Sequence, residues 1–144
     1  METDLRIAAL LRADPERWHA LSVVSALALP DCWIAAGFVR NAIWDALHGR
    51  PCGPITTDVD VIWFDPLRAD AAIDRDIEAR LRAQVPALRW SVKNQARMHA
   101  RNGDAPYASA ADAMRHWPET ATAIAVRRVG LGLCVVNAPL GLDD

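Results

Sequence analysis

Two aspartates separated by one residue, Asp58 and Asp60, are the side chains best suited to metal chemistry in this sequence. They stand at the head of a segment rich in β-branched and aromatic residues, 57–65, which is typical of a β-strand. Side chains alternate between the faces of a strand, so both carboxylates are expected on one face, about 7 Å apart along the strand. Hard divalent cations bind carboxylate oxygens, which favours a metal site. A pair of solvated aspartates entering the strand is the alternative.

A second candidate site lies at Gly37, where a short apolar run, 32–36, meets apolar residues at helical spacing. This pattern predicts a buried strand, a glycine turn and a helix that ends at Gly49. Glycine permits close approach of a ligand to the backbone, and the first turn of a helix favours phosphate through its free amides and dipole. Arg40 and Asn41, one turn further, could add a guanidinium and an amide. A tight packing turn with a solvated arginine explains the same residues without a ligand.

The remaining predicted elements alternate between helices and strands. Apolar spacing, caps and breakers predict helices at 4–11, 15–29, 70–84 and 110–116, a helical turn at 95–101, and strands at 88–93, 120–129 and 131–136. The charged residues of the helix at 70–84 are expected to be solvated. This order of elements indicates an α/β or α+β domain with a mixed β-sheet. Because no internal repeat or low-complexity linker divides the chain, residues 1–144 are predicted to form one domain.

Composition excludes several classes of protein. The chain has 144 residues, of which 52% are hydrophobic, so it can bury a core and is not intrinsically disordered. It lacks an apolar run of about eighteen residues, and no membrane span is predicted. Its cysteines fall in no paired motif, which indicates reduced thiols in a cytoplasmic protein. A net charge of −2 without a long basic run argues against a nucleic-acid-binding protein but is compatible with a small anionic ligand.

Four segments of the chain carry a family resemblance: AGFVRN at 36–41, DVDV at 58–61, VKNQARMH at 92–99 and WPETAT at 117–122. Together they resemble the nucleotidyltransferase superfamily, which has a DNA polymerase beta-like core, and more closely a family of small bacterial nucleotidyltransferase-like proteins. The resemblance runs from about residue 21 to the C-terminus and implies the nucleotidyltransferase fold, a mixed sheet flanked by helices. Members of that family usually continue beyond the point where this chain ends, so a C-terminal segment is expected to be shortened or missing.

The resemblance implies transfer of a nucleoside monophosphate from a nucleoside triphosphate to an acceptor, with release of pyrophosphate. Asp58 and Asp60 would bind one or two Mg²⁺ or Mn²⁺ ions, which would act on the reacting phosphate. The backbone amides of Gly37 and Phe38 would hold the terminal phosphates, and Arg40 would balance their charge. The expected acceptor is a small molecule or another protein rather than a nucleic acid.

The sequence departs from the family pattern in two respects. Phe38 stands where members often have a second small residue. The third carboxylate, which active members usually carry on a neighbouring strand, is absent from 88–93. Asn94 can offer an amide oxygen but cannot act as a base, and it joins Lys93 and Asn41 among the candidate nucleotide-binding residues. Four other acids are candidates for the missing role: Asp65, Asp104, Asp112 and Glu119.

The missing acid leaves the functional interpretation open. The leading hypothesis is a metal-dependent nucleotidyltransferase. A catalytically weakened nucleotide- or metal-binding module is the alternative, followed by a scaffold or interaction protein that keeps only the fold. A basic cluster of Lys93, Arg97 and His99 fits either contact with a triphosphate or an ordinary structural or solvated role.

Overall fold

The computed structural model describes residues 2–117, 123–130 and 133–140. The predicted helices are confirmed, with small differences in their bounds. The helices are α1 (Glu2–Arg12), α2 (Pro15–Ser25), α3 (Gly37–Leu47), α4 (Ala71–Gln84), α5 (Met98–Asn102) and α6 (Ala110–Met114). Two short 3-10 turns, Pro66–Arg68 and Gln95–Arg97, precede α4 and α5. The predicted strand residues 120–122 and 131–132 lie outside the described residues, as does Glu119.

The described strands form one five-stranded mixed sheet in the order β3-β2-β1-β4-β5. They are β1 (Trp33–Ala35), β2 (Val59–Trp63), β3 (Trp90–Asn94), β4 (Ala125–Val129) and β5 (Leu133–Asn137). β2 and β3 run parallel, and the other three pairs are antiparallel. Parallel neighbours need a long crossover, which α4 provides between β2 and β3. The predicted mixed sheet flanked by helices is therefore confirmed.

Side-chain caps precede three of the helices. Asp14, Asp70 and Ser109 each accept a hydrogen bond from a backbone amide in the first turn of α2, α4 and α6. Helix α2 ends at Ser25, earlier than predicted. The chain cannot continue as a helix there because Ala28 has a positive φ of 54°, which lies in the left-handed region.

One face of the sheet is buried against the helices α1 to α4. The main hydrophobic core includes Ile34, Val59, Val61, Trp63, Val92 and Val126 from the strands, with Leu11, Leu21, Phe38, Val39 and Leu81 from the helices. Along β2 the core residues occupy every second position, as expected for a strand with one face packed on helices. The alternate positions of β2 and β3 are therefore turned toward the other face.

The second face of the sheet is covered less completely. A smaller apolar cluster lies there, made of Trp33, Ala35, Ile62, Ala110, Met114, Ala123 and Ala125. Because α6 contributes to this cluster beside β1 and β4, the part of the face formed by β2 and β3 is left next to an open pocket. No helix in the described part of the chain combines the length and the apolar character needed to cross a lipid bilayer.

Candidate active site

A pocket of about 390 Å³ opens on the second face of the sheet, where β2 and β3 lie side by side. Its wall combines residues from both strands with residues from α5 and from the segment that follows α6. The polar lining includes Asp60, Ser91, Lys93, Gln95, Arg101 and Asn102, and the apolar lining includes Met98 and Trp117. Ala36, the residue that follows β1, also lines this pocket.

Asp60 owes its place in the pocket to the register of the sheet. It pairs with Ser91 on β3, and the next pair on the same face joins Ile62 to Lys93. Paired residues on neighbouring strands share a face, so the strands bring Asp60, Ser91 and Lys93 together. The Lys93 ammonium donates a hydrogen bond of 3.0 Å to Ser91 Oγ. A carboxylate, a hydroxyl and an ammonium thus adjoin one another on this face.

The carboxyl of Asp60 has a raised pKa. Burial is the main cause, the positive charge of Lys93 lowers the pKa in part, and the negative charge of Asp58 raises it further. An ionised Asp60 is therefore poorly compensated by the protein alone, because burial and a like charge both disfavour ionisation. A cation bound at this carboxylate would relieve both effects.

Asp58 lies just before β2, which begins at Val59 rather than at the predicted residue 57. Its side chain is 60% exposed, and its Oδ1 lies 3.2 Å from Nε of Arg89, which is also exposed. Exposed ion pairs of this kind contribute about 0–1 kcal/mol to stability. The Asp58 carboxylate is thus held only weakly and stays accessible to a cation from solvent.

The N-terminus of α3 reaches the same edge of the sheet. Ala35, the last residue of β1, pairs with Asp60, and Ala36 then forms both the helix N-cap and part of the pocket wall. Gly37 and Phe38 occupy the first turn, whose amides have no carbonyl four residues earlier within the helix. The structure therefore brings the start of α3 close to Asp60, as the strand–glycine–helix pattern requires.

A buried arginine that sequence reasoning missed fixes the start of α3. The side chain of Arg17 is only 1% exposed, and its Nε donates a hydrogen bond of 3.0 Å to the carbonyl of Phe38. Its Nη1 donates to the carbonyl of Gly53 at 2.9 Å and to Oδ2 of Asp14 at 2.5 Å. Arg17 therefore ties α2, α3 and the loop leading to β2 into one unit. In the sequence, this role is indicated by the three-residue spacing of Asp14 and Arg17, which suits an ion pair at the start of α2.

Asn94 is buried, and its side-chain amide is used within the fold. Its Oδ1 accepts hydrogen bonds from the amides of Asp65 and Ala96, and its Nδ2 donates to the carbonyls of Asp65 and Arg68. These four bonds use the ordinary capacity of a primary amide. They favour a role for Asn94 in positioning the end of β3 over direct contact with a nucleotide.

Asp74 on α4 is buried, although the sequence predicts that the charged residues of this helix are solvated. Its carboxylate accepts hydrogen bonds from Nε1 of Trp63 at 2.7 Å, from the amide of Asn94 at 2.8 Å and from Nη2 of Arg97 at 2.6 Å. That prediction is therefore wrong for Asp74. In the sequence, Asp74 falls at the three- and four-residue spacing of the buried apolar stripe on α4, and this spacing indicates burial.

Comparison with known proteins decides the family. A family model described as nucleotidyltransferase matches residues 22–144. The chain belongs to the nucleotidyltransferase family. A solved structure, described as an NMR structure that reveals a CCA-adding enzyme head domain, is 36% identical in sequence, with a TM-score of 0.83 over 96% of this chain and 72% of that chain. No curated protein is significantly similar. The predicted family, fold and class of enzyme are confirmed.

Three of the four acids that are candidates for the third carboxylate of a nucleotidyltransferase lie among the described residues, and none of these three lines the pocket. Asp65 follows the far end of β2 and pairs with Arg68 at 2.8 Å. Asp104 accepts a hydrogen bond from a tyrosine hydroxyl, and Asp112 accepts one from a backbone amide near α6. Glu119 lies outside the described residues. Within the described ranges, no three potential metal-ligating side chains form a cluster.

The other predicted nucleotide-binding residues of this nucleotidyltransferase fall in different environments. Arg40 and Asn41 are half-buried one turn into α3 and are not among the residues that line the pocket. Of the basic cluster, Lys93 lines the pocket. Arg97 binds buried Asp74, and His99 packs edge-to-face against a tyrosine ring. Their roles toward a nucleotide stay predictions.

Several wall residues were not predicted from the sequence. The place of Ser91 could have been predicted, because Ser91 and Lys93 occupy alternating polar positions of β3 and so share a face. Met98, Arg101 and Trp117 come from a short helix and a loop. They converge only through tertiary packing. Met98 and Trp117 lie in segments that carry the family resemblance, but no local pattern places them in a pocket wall.

Proposed function

We propose that this nucleotidyltransferase moves a nucleoside monophosphate from a nucleoside triphosphate to a small-molecule or protein acceptor and releases pyrophosphate. One structural observation supports the proposal most directly. Asp60, the start of α3 at Ala36 and the ammonium of Lys93 border one pocket. A cation ligand, a phosphate-binding helix terminus and a positive charge are the parts that a triphosphate with its metal requires.

The two aspartates suit a divalent cation, Mg²⁺ or Mn²⁺. Asp60 carries a carboxylate whose ionisation is opposed by burial and by Asp58, and Asp58 is accessible from solvent. Both carboxylates offer the oxygen donors that hard cations prefer. When bound, such a cation would polarise the α-phosphate and stabilise charge on the attacking and leaving oxygens.

The first turn of α3 is proposed to bind the terminal phosphates. The amides of Gly37 and Phe38 and the helix dipole favour an anion at this end. The side chain of Phe38 is completely buried in the main core, so its bulk does not occupy the space around its amide. Arg40 and Asn41, one turn further along α3, are proposed to add a positive charge and a second amide.

The pocket itself is proposed to hold the nucleoside. Its volume of about 390 Å³ lies within the usual range for small-molecule sites. Met98 and Trp117 supply apolar surface for a base, and Lys93 supplies charge near the phosphates. For Asn94 we propose a positioning role, because its own amide is engaged by the backbone around it.

The acceptor is proposed from charge and from the solved relative. A net charge of −2 favours a small molecule or a protein over a nucleic-acid backbone. The relative described as a CCA-adding enzyme head domain makes a nucleic acid the third acceptor class to compare with these two. An acceptor screen therefore includes all three classes.

A catalytically weakened nucleotide- or metal-binding module is the second candidate. It is favoured by Ser91, which lies beside Asp60 on the neighbouring strand, in a place where an acid would complete a larger metal site. A hydroxyl binds a cation less strongly than a carboxylate and is not ionised at neutral pH. Such a protein would bind the triphosphate and the metal but would not turn over.

Two measurements separate these functions. Calorimetry with a nonhydrolysable triphosphate, with and without Mg²⁺, reports binding, and transfer of label from α-³²P nucleoside triphosphates to each acceptor class reports turnover. We expect metal-dependent binding and transfer, both lost in Asp60→Asn and kept in Asp76→Asn, a matched change at an exposed position of α4. Binding without transfer supports the module. If the affinity for the triphosphate changes neither with Mg²⁺ nor in Asp60→Asn, the proposal is overturned.

A further inference from the structure

The strand beside Asp60 presents a hydroxyl and an ammonium group instead of an acid. Ser91 is the register partner of Asp60, and Lys93 lies two residues further along the same face of β3. The hydrogen bond of 3.0 Å from the Lys93 ammonium to Ser91 Oγ means that the lysine side chain turns back toward the level of Asp60. Both residues line the pocket together with Asp60.

The charge of Lys93 acts on Asp60 over a short distance. Neighbouring strands lie about 4.8 Å apart, well inside the Debye length of about 8 Å at physiological ionic strength. Lys93 and Asp60 are both half-buried, so water screens their interaction incompletely.

A pair of divalent cations would be poorly held in these surroundings. Two such ions lie roughly 4 Å apart in enzymes that use them, and their mutual repulsion has to be offset by several carboxylate oxygens. Asp58 and Asp60 are the acids at this edge, and no third metal-ligating side chain joins them among the residues described. Lys93 adds a positive charge where a third acid would have added a negative one.

We propose, given the function proposed above, that Lys93 takes the place of a second divalent cation, so that the site binds one divalent cation per chain. In this arrangement Asp58 and Asp60 bind the single cation. The Lys93 ammonium, oriented by Ser91, supplies a fixed positive charge to the bound phosphates. Lysine is suited to this role because its ammonium acts as a compact point charge on phosphate.

Manganese provides the test, because bound Mn²⁺ can be counted and its electron paramagnetic resonance spectrum distinguishes an isolated ion from a close pair. The wild-type protein is titrated with Mn²⁺ alone and then with each of the four α,β-methylene ribonucleoside triphosphates. Solutions of Mn²⁺ and nucleotide without protein serve as blanks. We expect one Mn²⁺ per chain, with the six-line spectrum of an isolated ion.

Variants test whether Lys93 and Ser91 set this number. Ser91→Asp combined with Lys93→Met is expected to bind two Mn²⁺ per chain and to give the spectrum of a magnetically coupled pair. Lys93→Met alone is expected to tighten binding of the single Mn²⁺ about tenfold, because a unit charge near the ion is removed. Arg101→Met removes a positive charge from an exposed part of the pocket wall and is the matched control, with a change of about twofold or less.

The outcomes separate this inference from the proposed function. Two Mn²⁺ per wild-type chain, or a coupled spectrum, overturns the inference and leaves the nucleotidyltransferase site in place. Equal effects of Lys93→Met and Arg101→Met also overturn it. No bound Mn²⁺ in either wild type or Asp60→Asn overturns the proposed metal site itself. The wild-type count decides the question even if the double variant does not fold.

Discussion

Gly37 and Thr57 pack so closely that a Cβ atom added to Gly37 would lie 2.9 Å from Oγ1 of Thr57. This contact joins the first turn of α3 to the residue that precedes Asp58. Because Gly37 has no side chain, the proposed phosphate-binding turn can pack directly against the segment that carries the proposed cation ligands.

Gly37→Ala is expected to lower the free energy of unfolding by about 1–3 kcal/mol, as overpacking of a well-filled site usually does. Adding Thr57→Ala should restore most of the loss, because the remaining contact, to Cβ of Thr57, is 3.4 Å long. Urea unfolding of the wild type, both single variants and the double variant measures the coupling. Full stability of Gly37→Ala alone would show that Thr57 moves aside without cost.

Ala36→Gly is expected to raise the free energy of unfolding by about 1 kcal/mol. Ala36 has φ 61° and ψ −132°, a conformation that stores about 1–3 kcal/mol of strain in a residue other than glycine. Relief of this strain exceeds the roughly 0.4–1 kcal/mol by which glycine stabilises the unfolded chain. Ala35→Gly, in the regular part of β1, should instead destabilise. A destabilised Ala36→Gly would contradict the strain.

Asp60→Asn is expected to stabilise the metal-free protein at neutral pH. The folded-state pKa of Asp60 is raised, mainly by burial, so ionisation of Asp60 lowers the free energy of unfolding as the pH rises through that pKa. The advantage of the variant should vanish below about pH 4, where the unfolded carboxyl is also neutral. Excess Mn²⁺ should reduce it at neutral pH, because the ion stabilises only the wild type.

Asp65→Asn provides a control of opposite sign for this pH dependence. The hydrogen bond from Arg68 is the main cause of a lowered pKa at Asp65, so its ionised form stabilises the folded state. The variant should be less stable than wild type at neutral pH, and the difference should be lost as the pH falls through the folded-state pKa. Unfolding curves in EDTA across the acid range compare both variants. If the stability of both variants relative to wild type changed in the same direction with pH, burial would not raise the pKa of Asp60 as stated.

Asp74→Asn is expected to lower the free energy of unfolding by about 3 kcal/mol. The buried carboxylate binds Arg97 and also accepts hydrogen bonds from Trp63 and Asn94, so an amide leaves a charged partner without compensation. Asp76→Asn, at an exposed position of the same helix, should change stability by less than about 0.5 kcal/mol. Thermal and urea unfolding measure both, and similar values for the two variants would rule out the buried network.

Local patterns in the sequence predict most of the fold. The apolar run before Gly37, the cap at Asp14 and the proline after it all act within a few residues, and the corresponding elements form as expected. The ends of elements depend on backbone conformations that composition does not reveal. Ala28 is an example, because its positive φ prevents α2 from extending to the predicted end at residue 29.

The site could be predicted only in part, because its residues differ in how they reach it. Asp60 and Lys93 follow from strand alternation, and both line the pocket. Asp58 carries the same pattern but lies before the strand, paired with Arg89 in solvent. Asn94 stands next to Lys93 in sequence, yet three of the four hydrogen bonds of its side chain join it to a distant turn. Which polar residues support the fold is a tertiary property that local spacing does not encode.

The alternation of faces along β2 and β3 also bears on how this protein can change over evolutionary time. Val61 and Val92 are buried against the helices, so their replacement is limited by stability. Asp60, Ser91 and Lys93, each one residue away, border the pocket, so their replacement would change the pocket wall with little effect on packing. Mutations at neighbouring codons thus meet different kinds of selection, and new substrate preferences can arise here without a new core.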